Sequence, residues 1–262
     1  MMIVPLPTPR LNDGVLQPIE RPTLAWLVRR IPAAIGPDTL TVSGIFGAVL
    51  TFTAYVGSGW YVGFLWLASI GLVINWLGDS LDGTLARYRR TERPQYGFFV
   101  DQSADIVCQL LIGFGIGLSP FMRFDIACIA LVAYLVLAAL TLARRCAFGI
   151  MRICYGRLGP TELRCTLIGL NTYWLFHQPY RFDTPFGTTS GADLGALAGS
   201  VAACLGFACS SLRDAKMLAR QDPAKEMRRL KPARLRESSS HPETRSSAGL
   251  LVQSGRAAPR AS

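Results

Sequence analysis

The sequence predicts an all-α polytopic membrane protein: about six spanning helices in one bundle, preceded by a segment suited to an interfacial helix. Three observations predict this. Long apolar runs recur along the chain, only 17% of its 262 residues are charged while 50% are hydrophobic, and the basic residues gather in alternate loops. A helix that crosses a bilayer needs about 20 mainly apolar residues, and several stretches approach that length.

Residues 1–36 precede the first span. Met1–Asn12 contains prolines and no apolar core run, so no cleavable leader is expected there. Residues 22–35 suit a short amphipathic helix lying on the membrane, and equally a juxtamembrane linker whose arginines fix topology. The spans are read near Leu40–Val56, Trp60–Leu77, Phe98–Leu118, Ile126–Leu142, Leu163–Phe176 and Ala192–Leu212. The second is expected to continue as helix through Asp79–Arg87. The fifth is a short run interrupted by Thr166, Asn171 and Thr172. Gly57-Ser58-Gly59 and Ser119-Pro120 supply tight turns. The membrane domain is drawn over residues 37–215 and a basic cytoplasmic tail over 216–262. Residues 231–262 are rich in Ser, Pro, Ala and Arg without an apolar period and are expected to be disordered. No internal repeat is present.

The basic residues orient this layout. Of 27 Lys and Arg, all but Arg123 and Arg181 fall on one side, in residues 1–39, 87–93, 144–164 and the tail from Arg213. The positive-inside rule then puts both termini in the cytoplasm. It also accounts for the net charge of +10 without nucleic acid, for which no recognition motif exists here. Arginine outnumbers lysine 24 to 3, which points to a GC-rich bacterial source and thus a bacterial inner membrane. The seven cysteines lie in or beside the spans with no C-x-x-C pair, as small packing residues do.

Against this apolar background stand four carboxylates: Asp79, Asp82, Asp101 and Asp105. Asp79 and Asp82 share a helix face at i and i+3, and Gly97, Asp101 and Asp105 form a second stripe at intervals of four. Facing helices would point all four acids into one space. Ionised groups at membrane depth are costly and tend to serve function. Four together repel one another unless cations bridge them, and carboxylate-only ligation suits Mg2+ or Mn2+ rather than zinc. The two histidines, His177 and His241, lie elsewhere in the chain, which argues against a histidine base or ligand. At the cytoplasmic membrane edge, two such cations suit binding of a pyrophosphate and alignment of an attacking hydroxyl. One carboxylate would accept the hydroxyl proton.

The pattern Asp79-x2-Asp82-Gly83-x2-Ala86-Arg87-x9-Gly97-x3-Asp101-x3-Asp105 resembles the signature of the CDP-alcohol phosphatidyltransferases, with all eight positions filled. The clear resemblance covers residues 37 to 110, and the span layout extends it to about 212. It implies a metal-dependent transfer of a substituted phosphate from a CDP-alcohol, commonly CDP-diacylglycerol, to an acceptor hydroxyl, with release of CMP. It implies that Asp79, Asp82 and Asp101 bind two metal ions, and that Asp105 joins the metal site and acts as general base. Gly83 and Ala86 would admit the nucleotide, while Arg87 and Gly97 complete the CDP pocket. The residue chemistry agrees: glycine allows close approach and arginine suits phosphate. The resemblance further implies membrane lipids as surroundings and a homodimer. Pro37-Asp38-x2-Thr41-x2-Gly44 is similar to the family's entry to the first span, with Asp38 in place of the usual asparagine; it is also an ordinary helix start. Gly159–Arg164, with Arg144, Arg145 and Arg152, offers positive charge to an anionic acceptor or lipid headgroup, or simply anchors topology. Arg164, then Arg144 and Arg145, are the acceptor-binding candidates.

Three other readings compete. A CDP-aminoalcohol phosphotransferase acting on diacylglycerol shares the signature. A small proton or cation transporter would use buried acids, but leaves the signature glycines and Arg87 without a role. A member that has lost catalysis would not need all four aspartates.

Overall fold

The computed structural model describes residues 10–11, 15–148, 151–152, 159–177, 179–185 and 187–221. Their elements, in chain order, are β1 (Arg10–Leu11), α1 (Gln17–Val28), α2 (Pro37–Gly57), α3 (Phe64–Arg89), α4 (Pro94–Gly117), α5 (Phe124–Phe148), β2 (Met151–Arg152), α6 (Pro160–Phe176), β3 (Arg181–Thr184), β4 (Gly187–Ser190) and α7 (Gly191–Gln221). Five of these helices, α2 to α5 and α7, are long and apolar enough to cross a membrane. The fifth sequence span falls in α6, a helix of 17 residues. One compact unit runs to Met217, and the four described residues of the other complete α7. The basic tail beyond Gln221 lies outside the described residues.

The closest pairing is α2 on α3, and glycines make it possible. A methyl group on Gly47 would sit 2.5 Å from the Asn75 nitrogen, and one on Gly78 2.5 Å from the Gly44 nitrogen. Small residues let membrane helices approach to backbone contact. Both α3 and α4 pack against α2, while α3 and α4 touch each other little. They are joined by a short link. Arg90 ends α3 in the left-handed region (φ 56), and Pro94 starts α4 at a position where its missing N–H costs nothing.

The apolar core lies at one end of the bundle. Tyr55, Leu65, Ala68, Ile116, Phe121, Ala127 and Trp174 meet there, with Phe121 stacked on Trp174 at 5.0 Å. Polar groups in this core are paired. The Tyr55 hydroxyl donates to Asn171 Oδ1 at 3.0 Å, and Asn171 Nδ2 donates to Ser69 Oγ at 3.1 Å. Asn171, which interrupts the fifth span in sequence, is therefore a buried cross-link between α6, α2 and α3. Thr166 and Thr172 return their hydroxyls to Glu162 O and Ile168 O in their own helix, as backbone and side chain must when no water is near. The β3–β4 hairpin closes the same end, where Arg181 donates to Pro120 O and Asp193 accepts from Arg123 N at 2.9 Å.

The interfacial segment differs from its sequence boundaries. Helix α1 begins at Gln17, with Pro18 in its first turn, and stops at Val28, with Pro32 a few residues beyond as is common after a helix end. Residues 29–35 are turns held by Arg89 of α3, which donates to the carbonyls of Ile31, Pro32 and Ile35 at 3.1, 2.9 and 2.6 Å. Cys154 lies outside the described residues, and the other six cysteines carry free thiols.

Candidate active site

At the end of the bundle opposite the core, the two halves of the signature meet. Asp79 lies ten residues before the end of α3 and Asp105 eleven residues after the start of α4. At about 1.5 Å per residue, the antiparallel link brings them to the same depth, and likewise Asp82 and Asp101. One carboxylate oxygen from each of Asp79, Asp101 and Asp105 lies within 4.8 Å of the others. Oxygen-only donors at this spacing fit a hard divalent cation.

Asp82 lies beside that triad rather than in it. It is buried, accepting the Thr41 hydroxyl at 2.7 Å and the Gly83 N–H at 2.5 Å. Thr41 is the threonine of the first-span entry. Its neighbour Asp38 accepts from Arg93 at 2.7 Å and from the Tyr96 hydroxyl at 3.3 Å, tying the start of α2 to α4.

Arg164 reaches the acids. Its Nη2 donates to Asp79 Oδ2 at 2.9 Å and its Nε to Asn75 Oδ1 at 2.9 Å, with the side chain 12% exposed. Asn75 in turn donates to Gly44 O at 3.0 Å. A chain of contacts thus runs from α2 through α3 to α6. Arg144 pairs with Asp214 of α7 at 2.5 Å. Arg145 lies over the Phe98 ring at 3.3 Å, next to Gly97. Arg87 is exposed and donates to Thr84 Oγ1 at 3.2 Å, and Gly83 and Ala86 are half-buried. Gly97 is exposed, and a methyl group there would meet nothing within 4 Å, so helix packing does not explain this glycine.

Two participants escaped the sequence reading. Asn75 lies one turn before Asp79 in an apolar run and reads as a minor interruption. Glu20 lies just ahead of residues 22–35, the stretch suited to an amphipathic helix. Its Oε1 accepts from Trp76 Nε1 at 3.1 Å, Ser80 Oγ at 3.3 Å and Thr161 Oγ1 at 3.1 Å. The i, i+4 step from Asn75 to Asp79 was the one available signal; for Glu20 there was none.

The CDP-alcohol phosphatidyltransferase family model matches residues 34–207. The inner membrane protein YnjF of Escherichia coli (strain K12) is 36% identical over 104 residues, which are 39% of this chain and 47% of YnjF. Archaetidylinositol phosphate synthase of Pyrococcus horikoshii is 31% identical over 125 residues, 47% of this chain and 60% of that protein. The chain thus spans about half the length of the curated relatives it matches.

Proposed function

The chain belongs to the CDP-alcohol phosphatidyltransferase family, and from that membership we propose that it transfers the phosphatidyl group of CDP-diacylglycerol to an acceptor hydroxyl in phospholipid synthesis. One observation carries the reading: signature acids from α3 and α4 converge, and α6 brings Arg164 onto one of them.

In this reading Asp79, Asp101 and Asp105 would hold Mg2+ or Mn2+, with Asp82 beside them and fixed by Thr41. The bound ions would neutralise charge on the pyrophosphate and on departing CMP. The acceptor oxygen forms a bond to the lipid-side phosphorus while the bond from that phosphorus to the CMP oxygen breaks. The acceptor's proton passes to Asp105, and CMP leaves with the electron pair. Gly83 and Ala86 leave room along α3 for the nucleotide. Gly97, open at the head of α4, does the same from the other side, and Arg87 meets phosphate. Arg164 stands where an anionic acceptor would approach.

The site's end of the bundle carries Arg87, Arg89, Arg90, Arg93, Arg144 and Arg145, and the core end carries Arg123 and Arg181. We therefore place the site at the cytoplasmic face of a bacterial inner membrane. There a lipid donor enters sideways and CMP leaves to water.

The acceptor is found by supplying purified protein in mixed micelles with CDP-diacylglycerol, Mn2+ and one hydroxyl compound at a time: glycerol 3-phosphate, serine or an inositol phosphate. The likeness to archaetidylinositol phosphate synthase puts the last on the panel. The expected outcome is a new phospholipid, identified by mass spectrometry, with one acceptor. Product formed only from CDP-choline or CDP-ethanolamine and diacylglycerol would reverse the proposed donor.

A further inference from the structure

We propose that Glu20, on the interfacial helix α1, is a positioning residue that sets the register of α6 against α3 and so the way Arg164 meets Asp79. This rests on the metal-dependent reading above. Three donors converge on one carboxylate oxygen of Glu20: Trp76 and Ser80 from α3, and Thr161 from α6. Ser80 is the residue after Asp79. Thr161 lies one turn before Arg164 on the same helix. The carboxylate is thus the shared hub between the two helices that supply the Asp79–Arg164 pair.

A second contact in the same place makes the junction specific. Glu162 Oε1 accepts the Leu16 N–H at 3.0 Å, just ahead of α1, while its Oε2 accepts the Gly159 N–H at 2.9 Å and caps α6. At the other end, Arg89 of α3 holds the turns that follow α1. Fixed at both ends, α1 runs alongside the signature half of α3. A helix that merely lay on lipid would need no such polar junction, since its apolar face alone would hold it.

The consequence is chemical. Arg164 donates to one oxygen of Asp79 while its Nε donates to Asn75, so the guanidinium is fixed against α3 by two contacts. Partners that orient a metal ligand from outside typically change metal affinity about 10- to 100-fold when lost. Glu20 acts one contact further out, so the low end of that range is expected.

The test is Mn2+ binding to the full-length protein in detergent, followed by electron paramagnetic resonance without substrate, for wild type, Glu20→Ala and Glu20→Gln. We expect Glu20→Ala to weaken Mn2+ binding about tenfold. Glu20→Gln should stay near wild type, because its amide oxygen accepts the same three bonds. A lower melting temperature with unchanged Mn2+ affinity in Glu20→Ala would make the contact purely structural and overturn the proposal. A metal-free measurement separates this from failure of the metal reading. A double-mutant cycle on melting temperature with Asp79→Asn and Arg164→Gln gives the coupling within the pair. That coupling should vanish in the Glu20→Ala background. If it persists there, Glu20 does not set the register, whatever the protein does with Mn2+.

Discussion

The four aspartates of the signature are not equivalent at the residue scale. Asp79, Asp101 and Asp105 offer oxygens to one small volume, while Asp82 is buried against Thr41 and the Gly83 N–H. Arg164 is equally specific, because it grips Asn75 and Asp79 from two nitrogens of one planar group. Lysine would keep the charge but not that fixed fork. Arg164→Lys is therefore expected to lower kcat/KM for CMP release about 10- to 100-fold, as loss of an orienting partner does. Activity near wild type would mean that charge alone suffices. The convergence of Asp79, Asp101 and Asp105 was legible in the sequence because their spacing is fixed along two helices. Asn75, Thr41 and Glu20 were not legible as partners, since each acts across helices that are distant in the chain.

At the scale of elements, the site depends on how closely α2 and α3 approach. A methyl group on Gly47 would meet the Asn75 nitrogen at 2.5 Å and Gly71 O at 2.7 Å, backbone atoms that cannot turn aside. Gly47→Ala should destabilise the protein by about 1–3 kcal/mol, the usual cost of overpacking, measured by thermal unfolding in detergent. Gly199→Ala in α7, where a methyl group meets nothing within 4 Å, is the matched control and should leave stability unchanged or slightly raised. Equal effects at both positions would remove the close-packing argument. Five of the six expected spans were legible from apolar runs, including the continuation of α3 through Arg87, whereas the fifth falls in the 17-residue α6. The β3–β4 hairpin was not, because Arg181–Ser190 is short and polar and pairs only with itself. Helix α1 starts at Gln17, ahead of the expected residues 22–35, and Pro22 lies inside it.

For the whole molecule, the distribution of charge and of exposed aromatic residues supports the proposed placement of the bundle in a bilayer. Trp60, Tyr61 and Tyr180 are exposed at the core end, and Trp26, Tyr88 and Tyr96 at the site end, as the two interfacial belts of a membrane protein are. With the arginine-rich end inside, a cysteine at Thr188 in the hairpin should react with a membrane-impermeant maleimide in intact cells, in a background freed of native cysteines. A cysteine at Glu92, in the α3–α4 link, should react only after lysis. The opposite pattern would invert the topology. The central claim is that converging aspartates perform a metal-dependent transfer from a CDP-activated lipid, and one assay addresses it most directly. CMP release from CDP-diacylglycerol is followed with the acceptor panel, with and without Mn2+ or Mg2+, in wild type and Asp105→Asn. Release is expected to require both acceptor and metal and to be abolished in Asp105→Asn, while that variant still binds CDP-diacylglycerol. Undiminished turnover in Asp105→Asn, or after metal is removed by chelation, would contradict the claim.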